Sequence, residues 1–179
     1  MIYAIGIMVI LFIIGIIVLV TFNKTNRIKS YDIKLKEAIK NIELLQEKEL
    51  ALFTKLSKKI NPRLDEKIFT SVPKIKNKEL DMFEKQEEFY TLHKEAKNLL
   101  TEGSVEFESA EKGLFEKLKT NSIELFAVEK YYNEQADNYN TYIKKFHNLI
   151  IRLIKRLKKV NTFKFKKVVE FEILEKNTN

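Results

Sequence analysis

The sequence predicts an all-α protein in which an N-terminal transmembrane helix is followed by an antiparallel bundle of long helices. The first observation is that no charged residue occurs from Ile2 to Phe22. The second is that the 179 residues include only 4 Gly and 2 Pro, which is too few turn signals for a protein of many short strands. The third is that apolar residues after Phe22 recur at steps of seven, close to two turns of an α-helix.

The uncharged segment predicts a membrane anchor at residues 1–22. As an α-helix, Ile2–Phe22 is about 31 Å long, and the hydrocarbon core of a bilayer is about 30 Å thick. The segment lacks the basic start and small-residue cleavage site of a signal peptide. Lys24, Arg27 and Lys29 follow it, and no Lys or Arg precedes it. Basic residues prefer the cytoplasmic side, so we expect a single-pass cell-membrane protein with its N-terminus outside and its C-terminal domain in the cytoplasm.

The residues after the anchor, 23–160, predict a cytoplasmic helical bundle. Its first helix covers about 26–60, and its second covers about 76–100. The third, 105–146, has a weak point at Thr120–Ser122 and is predicted as one helix or two. Two rows of residues spaced by seven are expected to face neighbouring helices, with Tyr139 and Phe146 in the core: Leu118, Leu125, Tyr132, Tyr139, Phe146, Leu153 and Val160, and Ala136, Ile143, Ile150 and Leu157.

Residues 148–160 predict a basic amphipathic helix. Its apolar face either completes the bundle or lies on anionic lipid, and the sequence leaves both interpretations open. On the second interpretation, the candidate lipid-surface contacts are Arg152, Lys155, Arg156 and Lys159. The C-terminal tail, 161–179, alternates as a strand does, and we expect it to be partly extended or disordered.

Charge and composition argue against several functional classes. The net charge of +8 arises from Lys and Arg that are interleaved with Asp and Glu, which is typical of solvated helix faces. We therefore predict no nucleic-acid binding, and we interpret Glu84, Glu87 and Glu88, and Glu106, Glu108 and Glu111, as such faces. The chain has no Cys, which excludes a thiolate nucleophile, a disulfide and the usual zinc sites.

The two histidines, His93 and His147, provide a direct test for a metal site. A carboxylate-bridged metal bundle requires Glu three residues before a His. Tyr90 and Lys144 occupy those positions, so we predict no metal and no cofactor. His93 lies on an apolar stripe and is interpreted as a core residue. With no nucleophile motif either, we predict that the protein is not an enzyme.

A repeat of Tyr132-Asn133, Tyr139-Asn140 and Phe146 at steps of seven resembles the signature of the LemA family. Phe171-Glu172 and Tyr31-Asp32 resemble two further pairs of that family. The chain departs from the family pattern at Phe146-His147, where members usually carry Phe-Pro. It also departs at "QEKELALF" (46–53), which replaces an Arg-rich, Pro-containing stretch, and at Glu129, where Arg is common. The resemblance implies a membrane-anchored bundle of long helices and no known chemical activity.

These observations predict a scaffold or adaptor of the bacterial envelope that binds a partner protein at the cytoplasmic membrane face. Asn133, Asn140 and His147 lie beside the aromatic row and form the candidate partner-binding edge. The two Asn side chains either bond across helices or face water. The alternative functions are a regulatory or signal-transducing module of a membrane complex and a membrane-bound hydrolase.

Overall fold

The computed structural model describes residues 2–77, 80–102, 106–145 and 148–165, and within these residues it is helical without any β-strand. The prediction of an all-helical chain with one long apolar N-terminal helix is therefore confirmed for this part of the protein. The α-helices are α1 Ile2–Ile60, α2 Ser71–Asn77, α3 Met82–Glu102, α4 Ser109–Lys144 and α5 Leu149–Ile154, with a short 3-10 helix at Asn61–Arg63.

Helix α1 joins the apolar segment to the first predicted soluble helix without interruption. It contains 59 residues, and neither Gly nor Pro separates Phe22 from Ile28. An 18-residue stretch of α1 has a mean hydropathy of 3.2, so its length and composition allow it to cross a membrane. The large apolar side chains from Ile5 to Phe22 are 45–71% exposed. Transfer of this surface from water into hydrocarbon is favourable.

Helix α1 ends at Ile60, where Asn61-Pro62 begins a turn. The side chain of Asn61 fixes the path that follows. Its Nδ2 donates to the carbonyl of Ile68 at 3.0 Å, and its Oδ1 accepts from the N–H of Ile68 at 3.1 Å. Phe69 then takes a left-handed conformation with φ 56° and is buried. The predicted irregular stretch thus contains a defined turn that leads into α2.

Helix α3 begins at Met82 because Asp81 and Glu84 cap it reciprocally. The Oδ1 of Asp81 accepts from the N–H groups of Phe83 and Glu84, each at 2.8 Å. The Glu84 carboxylate accepts from the N–H of Asp81 at 3.0 Å. Such a capping box satisfies N–H groups that would lack partners at a helix start. The second predicted helix therefore starts six residues later than expected from Lys76.

The chain divides into two compact units, each of which includes part of α1 and part of α4. Unit 1 contains the described residues within Met1–Ala38 and Tyr131–Thr162, and unit 2 contains those within Ile39–Lys130 and Phe163–Asn179.

The core of unit 2 is aromatic and aliphatic. The ring of Phe53 lies 5.4 Å from that of Phe69 and 6.3 Å from that of Phe89. Because the three residues lie on α1, the turn before α2, and α3, these contacts join all three segments. The buried cluster comprises Phe53, Leu56, Ile60, Phe69, Val72, Ile75, Phe89, Leu92, Ala96, Leu99, Phe115 and Leu118.

Within unit 2, α3 runs in the same direction as α1. The Nε2 of Gln46 donates to the carbonyl of Met82, and Phe53 stacks on Phe89, so later residues of α1 meet later residues of α3. This direction is possible because residues 69–74 run opposite to α3, from Phe69 at Glu95 to Lys74 at Glu88. The carboxylate of Glu88 on α3 holds α2 through Ser71 and Lys74.

Helix α4 runs opposite to α1 in each unit. In unit 2, Arg63 pairs with Glu111, and Asn121 bonds to Leu45. In unit 1, the ring of Tyr31 lies 6.4 Å from Tyr139 and 5.9 Å from Tyr142. The guanidinium of Arg27 lies 5.1 Å above the ring of Tyr142. Earlier residues of α1 thus meet later residues of α4.

Helix α4 is continuous from Ser109 to Lys144, so the predicted weak point at Thr120–Ser122 does not divide it. Leu118, Leu125, Tyr132 and Tyr139 are all buried, as the first row of seven predicts. Phe146 lies outside the described residues. Leu153 does not continue this buried row, because its side chain is 74% exposed.

One further expectation changes. Glu111 does not lie on a solvated face, since it is buried against Arg63, with 2.5 Å between the guanidinium and the carboxylate. Its other oxygen accepts from the N–H of Glu108 at 3.0 Å and caps α4. In the predicted tail, residues 161–165 form no strand, and 166–179 lie outside the described residues.

Replacing Leu118 by Ala should lower the free energy of unfolding by about 2–5 kcal/mol, because Leu118 is fully buried in the core of unit 2. Ile123→Ala on the same helix is the matched control. Ile123 is 58% exposed, so its loss should stay within about 0.5 kcal/mol. Urea unfolding of the detergent-solubilised chain, followed by circular dichroism, measures both. Equal losses in the two variants would contradict this packing.

Candidate functional site

The predicted partner-binding edge contains a residue with an internal structural role. The side-chain amide of Asn140, on α4, bonds to both backbone groups of Val160. Its Nδ2 donates to the carbonyl at 2.9 Å, and its Oδ1 accepts from the N–H at 3.0 Å. Asn140 therefore holds the segment after α5 against α4. Asn133 is half-buried, and His147 lies outside the described residues.

A tyrosine of the same repeat holds the neighbouring residue of that segment. The hydroxyl of Tyr132 donates to the carbonyl of Asn161 at 3.0 Å. Burial raises the pKa of Tyr132, which keeps the hydroxyl protonated as this bond requires. Tyr132 and Asn140 thus fix two consecutive residues, Val160 and Asn161. Within unit 1, the repeat therefore supplies buried packing and side-chain hydrogen bonds to the backbone of the segment after α5. We call these hydrogen bonds the clasp.

The predicted amphipathic helix over 148–160 is much shorter in the structure. Helix α5 ends at Ile154, and Arg156 follows in a left-handed conformation with φ 49°. The N–H of Leu157 donates to the carbonyl of Arg152 at 3.0 Å, and that of Arg156 donates to Leu153 at 3.2 Å. These two bonds form a Schellman helix ending.

The candidate lipid contacts lie on α5 and the turn after it. Arg152 is half-buried, whereas Lys155, Arg156 and Lys159 are exposed. The apolar residues near them differ in exposure: Ile151 is buried, whereas Leu153 and Ile154 are 74% and 76% exposed. The segment therefore presents basic and aliphatic side chains to its surroundings together.

Unit 2 contains a buried polar cluster that the sequence interpretation did not assign. Glu49 of α1 is fully buried and contacts Nε2 of His93, from α3, through its Oε1. Its Oε2 accepts from Nδ2 of Asn121, from α4, at 3.3 Å, and the same Nδ2 lies 3.0 Å from the carbonyl of Leu45. One carboxylate thus joins three helices.

A second carboxylate lies in the same unit. Glu129 of α4 is fully buried, and its Oε2 accepts from Nε2 of Gln86, on α3, at 3.2 Å. Its Oε1 has no hydrogen-bond partner among the described residues. Burial and the charge of Glu49 raise the pKa of Glu129 to about 8. Glu129 is therefore protonated in the folded protein at neutral pH.

The sequence contained a signal for this cluster. Asn121 and Glu129 fall between Leu118, Leu125 and Tyr132 at steps of three and four, which places them on the buried stripe of α4. Glu49 interrupts the apolar row Ile28, Leu35, Ile42 and Leu56 of α1 in the same way. A polar residue at a core position predicts a buried partner, but periodicity does not identify that partner.

The cluster is suited to holding helices together. Glu49, His93 and Glu129 are each at most 7% exposed, so their side chains do not face a cleft from which a substrate could reach them. Across residues 2–77, 80–102, 106–145 and 148–165, no three His, Asp or Glu side chains are grouped so that they could hold a metal ion.

Comparison with family models, with curated proteins and with solved structures gives no significant match to this chain.

Glu129→Gln should remove a pH dependence from the stability of unit 2. The folded carboxyl has a pKa of about 8, whereas its ordinary value is 4.5. Between these values the folded protein retains a proton that the unfolded chain has released, so the free energy of unfolding falls as pH rises from 4.5 to 8. The neutral Gln avoids this loss. We expect the variant to gain a few kcal/mol over the parent protein between pH 5 and pH 9.

Glu124→Gln is the matched control, since Glu124 is an exposed carboxylate on the same helix. Urea unfolding at a series of pH values gives the difference between each variant and the parent protein. A difference for Glu129→Gln that is as independent of pH as that of the control would contradict a protonated Glu129.

Proposed function

We propose that this protein is a non-catalytic, membrane-anchored helical scaffold or adaptor of the LemA type, which binds a partner protein at the cytoplasmic face of a bacterial cell membrane. The observation that carries the proposal is the continuity of α1. One helix leads from the exposed apolar residues 5–22 to Ile28, Leu35 and Ala38, which are buried. An anchor joined to a packed domain in this way confines the domain near the bilayer and raises its effective concentration for membrane-associated partners.

The fold that belongs to this proposal is a LemA-like bundle formed by residues 23–160. Two observations support it. Helix α4 runs opposite to α1 in each unit, and the repeated residues Tyr132 and Tyr139 are buried. The family resemblance concerns these same residues, and the structure gives them a packing role.

Burial of the most reactive side chains supports a role without catalysis. A general base or acid has to come within hydrogen-bonding reach of its substrate. Glu49 and His93 instead contact each other in the interior of unit 2. This contact joins α1 to α3, and this structural role is sufficient to account for two buried ionisable side chains.

The proposed recognition surface is the part of α4 around Asn133. Asp137, one turn after it on the same side of the helix, is exposed. The amide group of Asn140 is occupied by its two hydrogen bonds to Val160. Its contribution to this surface is therefore to hold the segment around Val160 in place beside α4. His147 lies outside the described residues, so its place on this surface is a prediction from the sequence.

A regulatory or signal-transducing module of a membrane complex is the second candidate function. The buried polar cluster of unit 2 favours it. A change at Glu129 or Glu49 would alter contacts among α1, α3 and α4 together, because these helices share the cluster. Such a site can couple protonation or ligand binding to helix packing.

Reporter fusions after Asn179 test the proposed orientation. Lys24, Arg27 and Lys29 closely follow the apolar segment, so the C-terminus should lie in the cytoplasm. A reporter that is active only in the cytoplasm should be active in this fusion. A reporter that requires export, fused at the same position, should be inactive, and the reverse pattern would overturn the orientation.

Photo-crosslinking in native membranes tests the scaffold proposal. A photoreactive residue at Asp137 should capture a specific protein, and the same residue at exposed Ile123 of α4 provides the control position. Asn133→Ala should reduce capture at Asp137 several-fold without unfolding the protein. Undiminished capture in a stable Asn133→Ala variant would remove Asn133 from the surface. Capture of no protein at Asp137 would overturn this scaffold surface.

A further inference from the structure

Unit 1 exposes two adjacent aliphatic side chains, Leu153 and Ile154, at the end of α5. They are 74% and 76% exposed, which exceeds the exposure of any large apolar residue in the described part of the anchor. Ile151, one turn earlier, is buried and attaches α5 to its unit. Leu153 and Ile154 therefore project from a fixed short helix.

The surroundings of this pair are strongly basic. No Asp or Glu occurs between Asp137 and Glu170 in the sequence. Exposed basic residues follow the pair directly: Lys155, Arg156, Lys158 and Lys159. A surface that combines exposed aliphatic residues with positive charge is complementary to an anionic lipid interface, where apolar groups enter between headgroups and cations bind phosphates.

The contacts of α4 place α5 near the level at which the anchor ends. Tyr142 lies against Arg27, and Arg27 is five residues after Phe22, or about 7.5 Å along a helix. The Nδ2 of Asn148, which precedes α5, donates to the carbonyl of Tyr142 at 2.7 Å. The headgroup layer on each side of a hydrocarbon core is about 5–8 Å thick. When α1 crosses a bilayer, α5 therefore begins at headgroup depth.

The chain beyond α5 turns back from this level. Val160 is held by Asn140, and Asn161 by Tyr132, which lies further along α4 from the anchor. Leu153, Ile154 and the Schellman turn thus lie between two segments that are both held by α4. Arg156 occupies the left-handed position, where Gly would fit with less strain.

We propose that α5 and the turn after it dock on the anionic lipid surface beside the anchor. Leu153 and Ile154 enter the interface, and Lys155, Arg156 and Lys159 bind lipid phosphates. This inference rests on the anchoring of α1 that belongs to the proposed function. It adds a second membrane contact, which fixes the tilt of unit 1 relative to the bilayer.

Fluorescence quenching of the full-length chain in vesicles tests the docking. The sequence has no Cys, so Ile154→Cys gives a single labelling site for an environment-sensitive dye. In vesicles of phosphatidylcholine with phosphatidylglycerol, nitroxide-labelled lipid should quench this dye strongly. Quenching should fall in phosphatidylcholine alone and at high salt. Ile33→Cys is the matched control, because Ile33 is 56% exposed on α1, about 16 Å beyond Phe22, and its dye should stay unquenched.

A charge variant tests the basic residues without disturbing the turn. Arg156→Gly retains a residue suited to the left-handed position, and Lys155→Gln removes a second charge. Together they should lower the ratio of docked to undocked protein about 30-fold, since each basic residue near an anionic surface contributes about fivefold. An unchanged ratio would overturn the role of these charges.

Failure of the anchor and failure of the docking give different results. A dye at Phe12→Cys reports the anchor, and an unquenched Phe12 site would refute membrane insertion and with it the proposed function. A quenched Phe12 site with an unquenched Ile154 site would refute the docking alone. An Ile154 dye that is shielded from aqueous iodide but not quenched by lipid would show that protein covers this face, and this would also refute the docking.

Discussion

A carboxylate in the middle of a hydrophobic row is the constraint on which the interior of unit 2 depends. Glu49 takes the position on α1 that Ile42 and Leu56 occupy one heptad before and after it, and it is fully buried. A buried carboxylate without partners is very unfavourable. His93 from α3 and Asn121 from α4 supply those partners. Because both side chains must reach one group, the rotations of α3 and α4 about their axes are restricted in a way that apolar contacts alone would not enforce.

A second buried carboxylate makes the interior of unit 2 depend on a proton. Glu129 is fully buried, and burial together with the charge of Glu49 raises its pKa to about 8. Protonation of Glu129 removes the repulsion between the two carboxylates. The proton on Glu129 therefore allows both glutamates to lie in the same interior.

The sequence predicted the parts of the fold that depend on local spacing. The rows that include Leu118, Leu125 and Tyr139 are buried because a repeat of seven defines one face of any α-helix. The sequence could not predict the parts that depend on distant partners. Asn121 looked like a weak point of α4, but its side chain bonds to Leu45, 76 residues away. The periodic pattern also extended to Val160, whereas the clasp by Asn140 holds that residue outside any helix. The internal role of Asn140 likewise required the structure, because its partner Val160 lies 20 residues away.

The continuity of α1 also determines the direction in which unit 1 faces. Each residue of an α-helix rotates the chain by about 100°, so the exposed apolar side chains of residues 5–22 and the buried residues Ile28 and Leu35 have a fixed angular relation. One residue inserted between Phe22 and Asn23 would turn the rest of unit 1 by more than a quarter of a circle relative to that apolar segment. The contact of Arg27 with Tyr142 would be kept. The short polar stretch after Phe22 thus sets an angle, and its length matters as much as its composition.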